Sequence, residues 1–170
     1  MTLVVLLGGA RSGKSALAVD LARRSGAAVT VIATAEALDA EMAERIAAHR
    51  DERPAEWRTV EEPLELRAAI ERVPPADTLV IDCLSLWVAN VLERDRVERE
   101  ACAAAAAAAG RSGLTVAVTN EVGLGVVPAT PLGRAYRDLL GRVNAAWVAV
   151  SDDAALVVAG RALRLERSLL

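Results

Sequence analysis

Lys14 is the only lysine in this chain of 170 residues, and it lies in the segment Gly8-Gly9-Ala10-Arg11-Ser12-Gly13-Lys14-Ser15. The segment matches the pattern G-x-x-x-x-G-K-[ST], in which backbone N–H groups surround the phosphates of a nucleoside triphosphate. In that chemistry Lys14 contacts the outer phosphates and the Ser15 hydroxyl binds Mg²⁺. The simpler alternative is a glycine turn between a strand and a helix, with an incidental lysine.

A carboxylate follows an apolar segment further along the chain, where Leu79-Val80-Ile81 precedes Asp82. Enzymes that transfer phosphate groups place an acid beside Mg²⁺ at the carboxyl end of such a strand. We therefore interpret Asp82 as a nucleotide or metal ligand. The alternative is an acidic residue that begins the next turn.

His49 is the only histidine in the chain. On a helix, Arg45 lies one turn before His49 and Arg53 lies one turn after it. The two guanidinium groups would favour a neutral, nucleophilic imidazole and would hold a polyphosphate against it. From spacing alone, a surface histidine on a solvated helix remains the favoured interpretation.

The segment from Asn120 to Pro128 follows a predicted strand and contains the pair Asn120-Glu121 and two glycines. In open α/β folds such loops lie at the same sheet edge as the phosphate loop, where ligands bind. A substrate-binding or base role for the pair Asn120-Glu121 and a plain loop are equally compatible with the pattern.

These residues require an alternation of strands and helices to position them. Apolar segments predict strands at 2–7, 28–33, 57–61, 78–81, 114–119, 155–159 and 162–165, the last two forming a hairpin across Gly160-Arg161. Helical patterns cover 15–24, 39–50, 63–72, 84–93 and 132–147. The charged and alanine-rich segment 93–109 predicts an exposed helix. Such alternation predicts an α/β fold with a mostly parallel sheet.

Composition narrows the class of protein further. The length suits one domain, residues 1–170, and the formal net charge of −3 argues against nucleic-acid binding. No apolar segment reaches membrane-spanning length, and the phosphate loop begins too early for a signal peptide. Cys83 and Cys102 lack metal-ligand spacing. We expect a cytoplasmic protein with reduced thiols.

Taken together, these segments resemble the bifunctional adenosylcobinamide kinase / adenosylcobinamide-phosphate guanylyltransferases of cobalamin biosynthesis. The similarity runs along the whole chain, and its most specific parts are Arg45-Ile46-x-x-His49 and Asn120-Glu121-Val122-Gly123-x-Gly125-x-Val127-Pro128. Further matches are Gly8–Ser15, Ala33-Thr34, Trp57-Arg58-Thr59-x-Glu61-x-Pro63, Asp82-Cys83-Leu84 with Trp87 and Asn90, and Gly133-Arg134-x-Tyr136-Arg137-Asp138 through Asn144.

The resemblance implies two reactions. A nucleoside triphosphate, ATP or GTP, phosphorylates adenosylcobinamide, and GTP then donates GMP to the resulting phosphate through a covalent phosphoramidate on a histidine, which here is His49. It implies catalytic roles for His49, Lys14 and Glu121, and Mg²⁺ at Ser15 and Asp82. Implied nucleotide contacts are Gly8–Ser15, Ala33, Thr34, Ala35, Arg50, Asp51, Glu52, Arg53, Glu61 and Asp82.

The resemblance also implies a P-loop, RecA-like sheet with a terminal antiparallel strand, assembled as a homotrimer. Two alternatives stay open from the residues alone. One is another P-loop kinase of small molecules, in which His49 only positions phosphate. The other is a GTP-dependent switch without enzymatic activity, which would bind GTP without forming a covalent adduct.

Overall fold

The computed structural model of the chain describes residues 2–37, 39–51 and 53–167, without the side chains of residues 41, 45 and 51. Within these ranges the seven strands are β1 (Thr2–Gly8), β2 (Val29–Ala33), β3 (Arg58–Glu61), β4 (Thr78–Asp82), β5 (Leu114–Val118), β6 (Asp153–Val158) and β7 (Arg161–Arg164). The helices are α1 (Lys14–Arg24), α2 (Ala40–Asp51), α3 (Leu66–Arg72), α4 (Leu84–Val91), α5 (Val97–Ala109) and α6 (Pro131–Val150).

All seven strands belong to one sheet, in the order β3-β2-β4-β5-β1-β6-β7. Every neighbouring pair is parallel except β6 and β7, which form an antiparallel hairpin. The predicted α/β fold with a mostly parallel sheet and a terminal antiparallel strand is confirmed. Parallel strands end at a common edge, so the segments after β1, β2, β3, β4 and β5 lie side by side.

The two faces of the sheet carry different cores. Side chains such as Leu3, Val5 and Ile81 on one face pack beneath α3, α4, α5 and α6, together with the buried indoles of Trp87 and Trp147. The opposite face carries a smaller cluster that includes Val31 and Val80 and the α1 alanines. The partly buried Leu17 and Leu21 of α1 also pack against this cluster.

The alanine-rich helix was predicted to be exposed, and this prediction is wrong for one of its faces. Val97, Ala101, Ala104, Ala105 and Ala108 of α5 are buried in the core. Methyl side chains let α5 approach α3 and α6 closely, whereas the charged residues Glu98 and Arg99 stay exposed. A helix of alanines lacks the contrast between polar and apolar positions that would reveal its buried face.

Smaller differences concern the ends of elements. Helix α3 begins at Leu66 instead of Pro63, and the hairpin turns at Ala159-Gly160 instead of Gly160-Arg161. Both cysteine side chains carry free thiols, as expected, with Cys83 buried and Cys102 exposed. No helix in the described part of the chain is long and apolar enough to cross a membrane.

Candidate active site

The loop between β1 and α1 has its conformation fixed by close contact with the β6–β7 hairpin. A Cβ added at Gly8 would lie 2.3 Å from the Val157 carbonyl oxygen, so only glycine fits there. Gly13 has φ of 101°, and a Cβ at this position would lie 3.1 Å from the Gly160 Cα. The Gly160 N–H donates to the Ser12 carbonyl at 2.8 Å. The glycines of the motif are therefore required by packing as well as by the approach of a phosphate.

Lys14 is buried, and its ammonium group lies within the loop that it follows. Its Nζ donates to the carbonyl oxygens of Gly8 at 2.9 Å and Gly9 at 2.7 Å. Burial lowers the pKa of Lys14, and the neighbouring Cys83 and Asp82 oppose that shift. A triphosphate can therefore offer this desolvated cation stronger partners than the two neutral carbonyls it now contacts.

Two arginine–carboxylate pairs connect the end of α2 to the sheet edge. Arg53 donates to Asp82 at 2.8 Å, at the end of β4, and Arg50 pairs with Glu61 at the end of β3. His49 immediately precedes this clamped segment and is half-buried. The clamp places the imidazole at the same edge as the phosphate loop, which helix periodicity alone did not predict.

The end of β4 is itself held by β2 and α4. The Thr34 hydroxyl donates to the Cys83 carbonyl at 2.6 Å and accepts from the Cys83 N–H at 2.9 Å, across a cis peptide bond between Asp82 and Cys83. Asn90 donates to the Thr34 carbonyl at 2.7 Å. Thr34 is completely buried, so its hydroxyl orients Asp82-Cys83. Burial, with a smaller contribution from Asp82, raises the pKa of the Cys83 thiol.

Two cavities meet at His49. The larger cavity has a volume of about 600 Å³. It is lined by these residues of the sequence-predicted site: Ala10, Arg11, Ser12, Gly13, Lys14, Ser15, Ala33, Ala35, His49, Arg50, Arg53, Glu61 and Asp82. The smaller, about 350 Å³, lies over the α1 face of the sheet and shares Ser15, His49, Arg53 and Asp82 with the larger. A histidine between two cavities, beside a phosphate loop, can face two ligands.

Several lining residues were missing from the sequence-based site. Cys83 and Leu86 line the larger cavity together with Asn120, which the sequence had indicated with Glu121, and Trp57 lines the smaller one. Cys83 adjoins Asp82, which the sequence indicated, so adjacency was the available signal. Trp57 precedes β3, and no spacing rule connects it to His49.

Other predicted residues lie beside the cavities or outside the described residues. The Glu121 N–H donates to the Gly8 carbonyl at 3.1 Å, and its Oε1 accepts from the Gly123 N–H at 2.6 Å. Glu121 is therefore next to the phosphate loop, half-buried, with its carboxylate turned toward its own loop. Glu52 and the side chains of Asp51 and Arg45 fall outside the part of the chain that the structure describes.

The donor set at the sheet edge fits Mg²⁺. Mg²⁺ in nucleotide sites takes one or two protein oxygens and completes its shell with phosphates and water. The Ser15 hydroxyl and the Asp82 carboxylate line both cavities and provide such oxygens. Among the described residues no group of three His, Cys, Asp or Glu side chains forms a metal site.

Comparisons with known proteins place the chain in a family. Residues 4–165 match the family described as cobinamide kinase / cobinamide phosphate guanyltransferase. The bifunctional adenosylcobalamin biosynthesis protein CobP of Pseudomonas aeruginosa is 45% identical over 166 residues, covering 95% of this chain and 96% of the relative. The bifunctional adenosylcobalamin biosynthesis protein CobU of Salmonella typhimurium is 37% identical, covering 96% of this chain and 99% of the relative.

A solved structure shares the fold at much lower sequence similarity. The flagellar accessory protein FlaH from Methanocaldococcus jannaschii superposes with a TM-score of 0.53 and 12% identity, covering 95% of this chain and 74% of that one. At this identity the likeness concerns the arrangement of strands and helices alone.

Proposed function

The chain belongs to the cobinamide kinase / cobinamide phosphate guanyltransferase family, and we propose that it phosphorylates adenosylcobinamide and then transfers GMP from GTP to the product at one nucleotide site. The observation that carries this proposal is the shared cavity, which Lys14 and His49 line together. Family membership favours this two-step function over another small-molecule kinase or a GTP-dependent switch.

In the kinase step the triphosphate, ATP or GTP, lies on the phosphate loop. The loop N–H groups and Lys14 bind its outer phosphates, with the Lys14 Nζ exchanging the Gly8 and Gly9 carbonyls for phosphate oxygens. The hydroxyl of adenosylcobinamide attacks the γ-phosphorus, and the nucleoside diphosphate leaves. Glu121 is anchored next to the phosphate loop by its N–H bond to the Gly8 carbonyl, and its carboxylate orients the attacking hydroxyl and takes up its proton.

Ser15 and Asp82 would hold Mg²⁺ together with the phosphates, and the ion would supply positive charge for the leaving phosphate oxygens. Asp82 accepts a hydrogen bond from Arg53, which holds the carboxylate at this sheet edge. The Arg53 guanidinium also lines the cavity, where it adds positive charge beside the phosphates.

In the transferase step a ring nitrogen of His49 attacks the α-phosphorus of GTP. The P–N bond forms, the P–O bond to pyrophosphate breaks, and Lys14 and Arg53 stabilise the departing charge. An oxygen of adenosylcobinamide phosphate then attacks the same phosphorus and releases His49. The products are adenosylcobinamide-GDP and pyrophosphate.

Incubation with Mg²⁺ and GTP labelled at the α-phosphate, before any corrinoid is added, tests the proposal. We expect label on His49 that is lost in acid and stable in base, as a phosphoramidate is, and no label from the γ-phosphate. His49→Ala should lose guanylyl transfer and keep kinase activity, because phosphorylation needs no enzyme nucleophile. An α-label that survives acid on a serine or lysine would assign the nucleophile elsewhere. The trimeric assembly and the cytoplasmic location stay predictions.

A further inference from the structure

We propose that the acceptor, cobinamide phosphate, binds in two parts: its phosphate takes the place that pyrophosphate leaves on the phosphate loop, and its corrin ring rests on the exposed loop 122–127. This inference rests on the proposed function and adds where the corrinoid lies.

The first part follows from the stereochemistry of substitution at phosphorus. Attacking and leaving atoms lie in line on opposite sides of the phosphorus. Pyrophosphate therefore leaves on the side opposite His49, where the phosphate loop lines the same cavity. When acceptor oxygen displaces the histidine, the P–N electron pair returns to His49 and the new P–O bond forms opposite it. The acceptor phosphate must enter where pyrophosphate left.

The charges of the cavity support this position. Arg50 and Arg53 are held by Glu61 and Asp82 at the α2 side of the cavity. Lys14 contacts only neutral groups: two backbone carbonyls and, at 3.5 Å, the Ser12 hydroxyl. Among the described residues that line this cavity, Lys14 of the phosphate loop is thus the buried cation that a dianionic phosphate can meet without displacing a carboxylate.

The position of the corrin ring follows from its size and from its connection to the phosphate. A cavity of about 600 Å³ buries a nucleotide or a drug-sized molecule, and a corrin with its amide side chains is larger. The ring must lie outside while its phosphate arm reaches in. Asn120 lines the cavity, and the next residue, Glu121, is hydrogen-bonded to Gly8, so the segment after β5 leads directly from the phosphate loop to the surface.

That surface is unusually apolar. Leu124, Val126 and Val127 are 80%, 95% and 60% exposed, and Leu132, at the start of α6, is 60% exposed. Several exposed aliphatic side chains on one segment mark a binding surface. Of the molecules this surface could accept, the corrinoid is favoured because the two residues just before it lead to the acceptor's phosphate: Asn120 lines the cavity and Glu121 contacts the phosphate loop.

The first experiment measures binding of cobinamide phosphate to the His49→Ala protein, in which no guanylyl transfer interferes. Equilibrium dialysis follows the corrinoid by its visible absorbance at increasing concentrations of pyrophosphate. We expect pyrophosphate to compete with cobinamide phosphate, so that the apparent Kd of cobinamide phosphate rises linearly with pyrophosphate concentration. The Kd of unphosphorylated cobinamide should change much less. Simultaneous binding of pyrophosphate and cobinamide phosphate, with unchanged Kd, overturns the shared phosphate position.

The second experiment replaces Leu124 and Val126 together by serine. Their exposure makes an effect on folding small, and we expect cobinamide to bind about tenfold more weakly or worse, from the lost apolar burial. GTP binding and labelling of His49 should not change. The matched control is Leu163→Ser on β7, which is 64% exposed and remote in sequence from this loop.

Light scattering on the same variants tests the alternative occupant of this surface, which is a second copy of the chain. If the Leu124/Val126 variant lowers the oligomeric mass and leaves corrinoid affinity unchanged, the surface contacts a second copy of the chain and the inference is wrong. Labelling of His49 in the unaltered protein tests the proposed function independently, so either idea can fail alone.

Discussion

Arg53 Nη2 donates to Asp82 Oδ2 at 2.8 Å, which joins the residue two positions past α2 to the last residue of β4. The side chains are only 11% and 21% exposed, so this pair is shielded from water more than the Arg50–Glu61 pair, at 57% and 61%. The shielded pair holds the end of α2, and with it His49, against the edge where the phosphate loop lies. It is therefore part of the geometry that both proposed reactions require.

Removing one partner of the Arg53–Asp82 pair should destabilise the fold by about 1–3 kcal/mol, because a poorly solvated charge is left without its hydrogen bond. A double-mutant cycle with Arg53→Met and Asp82→Asn, measured by urea unfolding, should show favourable coupling. The Arg50→Met and Glu61→Gln cycle is the control, and its coupling should be about 0–1 kcal/mol because both groups are exposed. Equal coupling in both cycles would contradict the shielding argument.

Lys14→Ala should abolish the kinase reaction and slow guanylyl transfer about a hundredfold or more, because both reactions place phosphate groups on the same loop. Steady-state assays of each half-reaction measure the effect, with circular dichroism as the check on folding. The control is Arg24→Ala, which removes an exposed cation of α1 that pairs with Asp20. Near-normal turnover in a folded Lys14→Ala protein would exclude the loop from the mechanism.

Glu121→Gln should lower kcat for phosphorylation of cobinamide more than it weakens GTP binding. The Glu121 backbone is bonded to Gly8 and the residue is outside the set that lines the nucleotide cavity, so the proposed partner of its carboxylate is the acceptor hydroxyl. Nucleotide affinity from fluorescence titration and kcat from a coupled assay separate the two effects. An equal loss of affinity and rate would make Glu121 a nucleotide ligand instead.

Tyr136 should make the fold sensitive to alkaline pH. Burial, with a smaller contribution from Cys83, raises its pKa from 10.0 to about 12. Between these values the unfolded chain loses the phenolic proton and the folded chain keeps it, so stability present below pH 10 declines as pH rises toward 12. Tyr136 is the only tyrosine, so phenolate absorbance of the folded protein reports its titration directly.

Tyr136→Phe provides the matched test of this pH dependence. The substitution removes the titrating group and the hydrogen bond to the Ser85 carbonyl, so it lowers stability at neutral pH but should flatten the alkaline decline. Urea unfolding midpoints compared across the alkaline range measure both effects. A phenolate that titrates near pH 10 in the folded protein would show that Tyr136 is better hydrated than its burial indicates.

The parts of the fold that could be predicted from the sequence are those that depend on local patterns of residues. Apolar strands that end in Gly8, Ala33 and Asp82 were recognisable from composition, and their parallel arrangement brings their ends to one edge. The role of Thr34 was not predictable in the same way, because its hydroxyl partner, Cys83, lies 49 positions away. The resemblance implies that Thr34 contacts nucleotide, which stays a prediction, and the structure adds that its buried hydroxyl holds the backbone that presents Asp82.

Long-range packing explains the other differences. Nothing in an alanine series indicates which methyl groups face a neighbouring helix, so the burial of α5 emerges only when α3 and α6 are in place. The arginines near His49 were predicted from helical spacing to act on the imidazole. Arg53 instead contacts a carboxylate on another strand, a contact that depends on where the chain returns after β3.

The contact between Gly160 and Ser12 joins the motif at the beginning of the sequence to a hairpin made near its end. During translation, residues 8–15 leave the ribosome long before β6 exists to pair with β1 or the hairpin turn exists to support the loop. A nascent chain that stops before Asp153 contains the complete motif without its support. The phosphate loop therefore reaches its supported conformation only after synthesis has passed the hairpin.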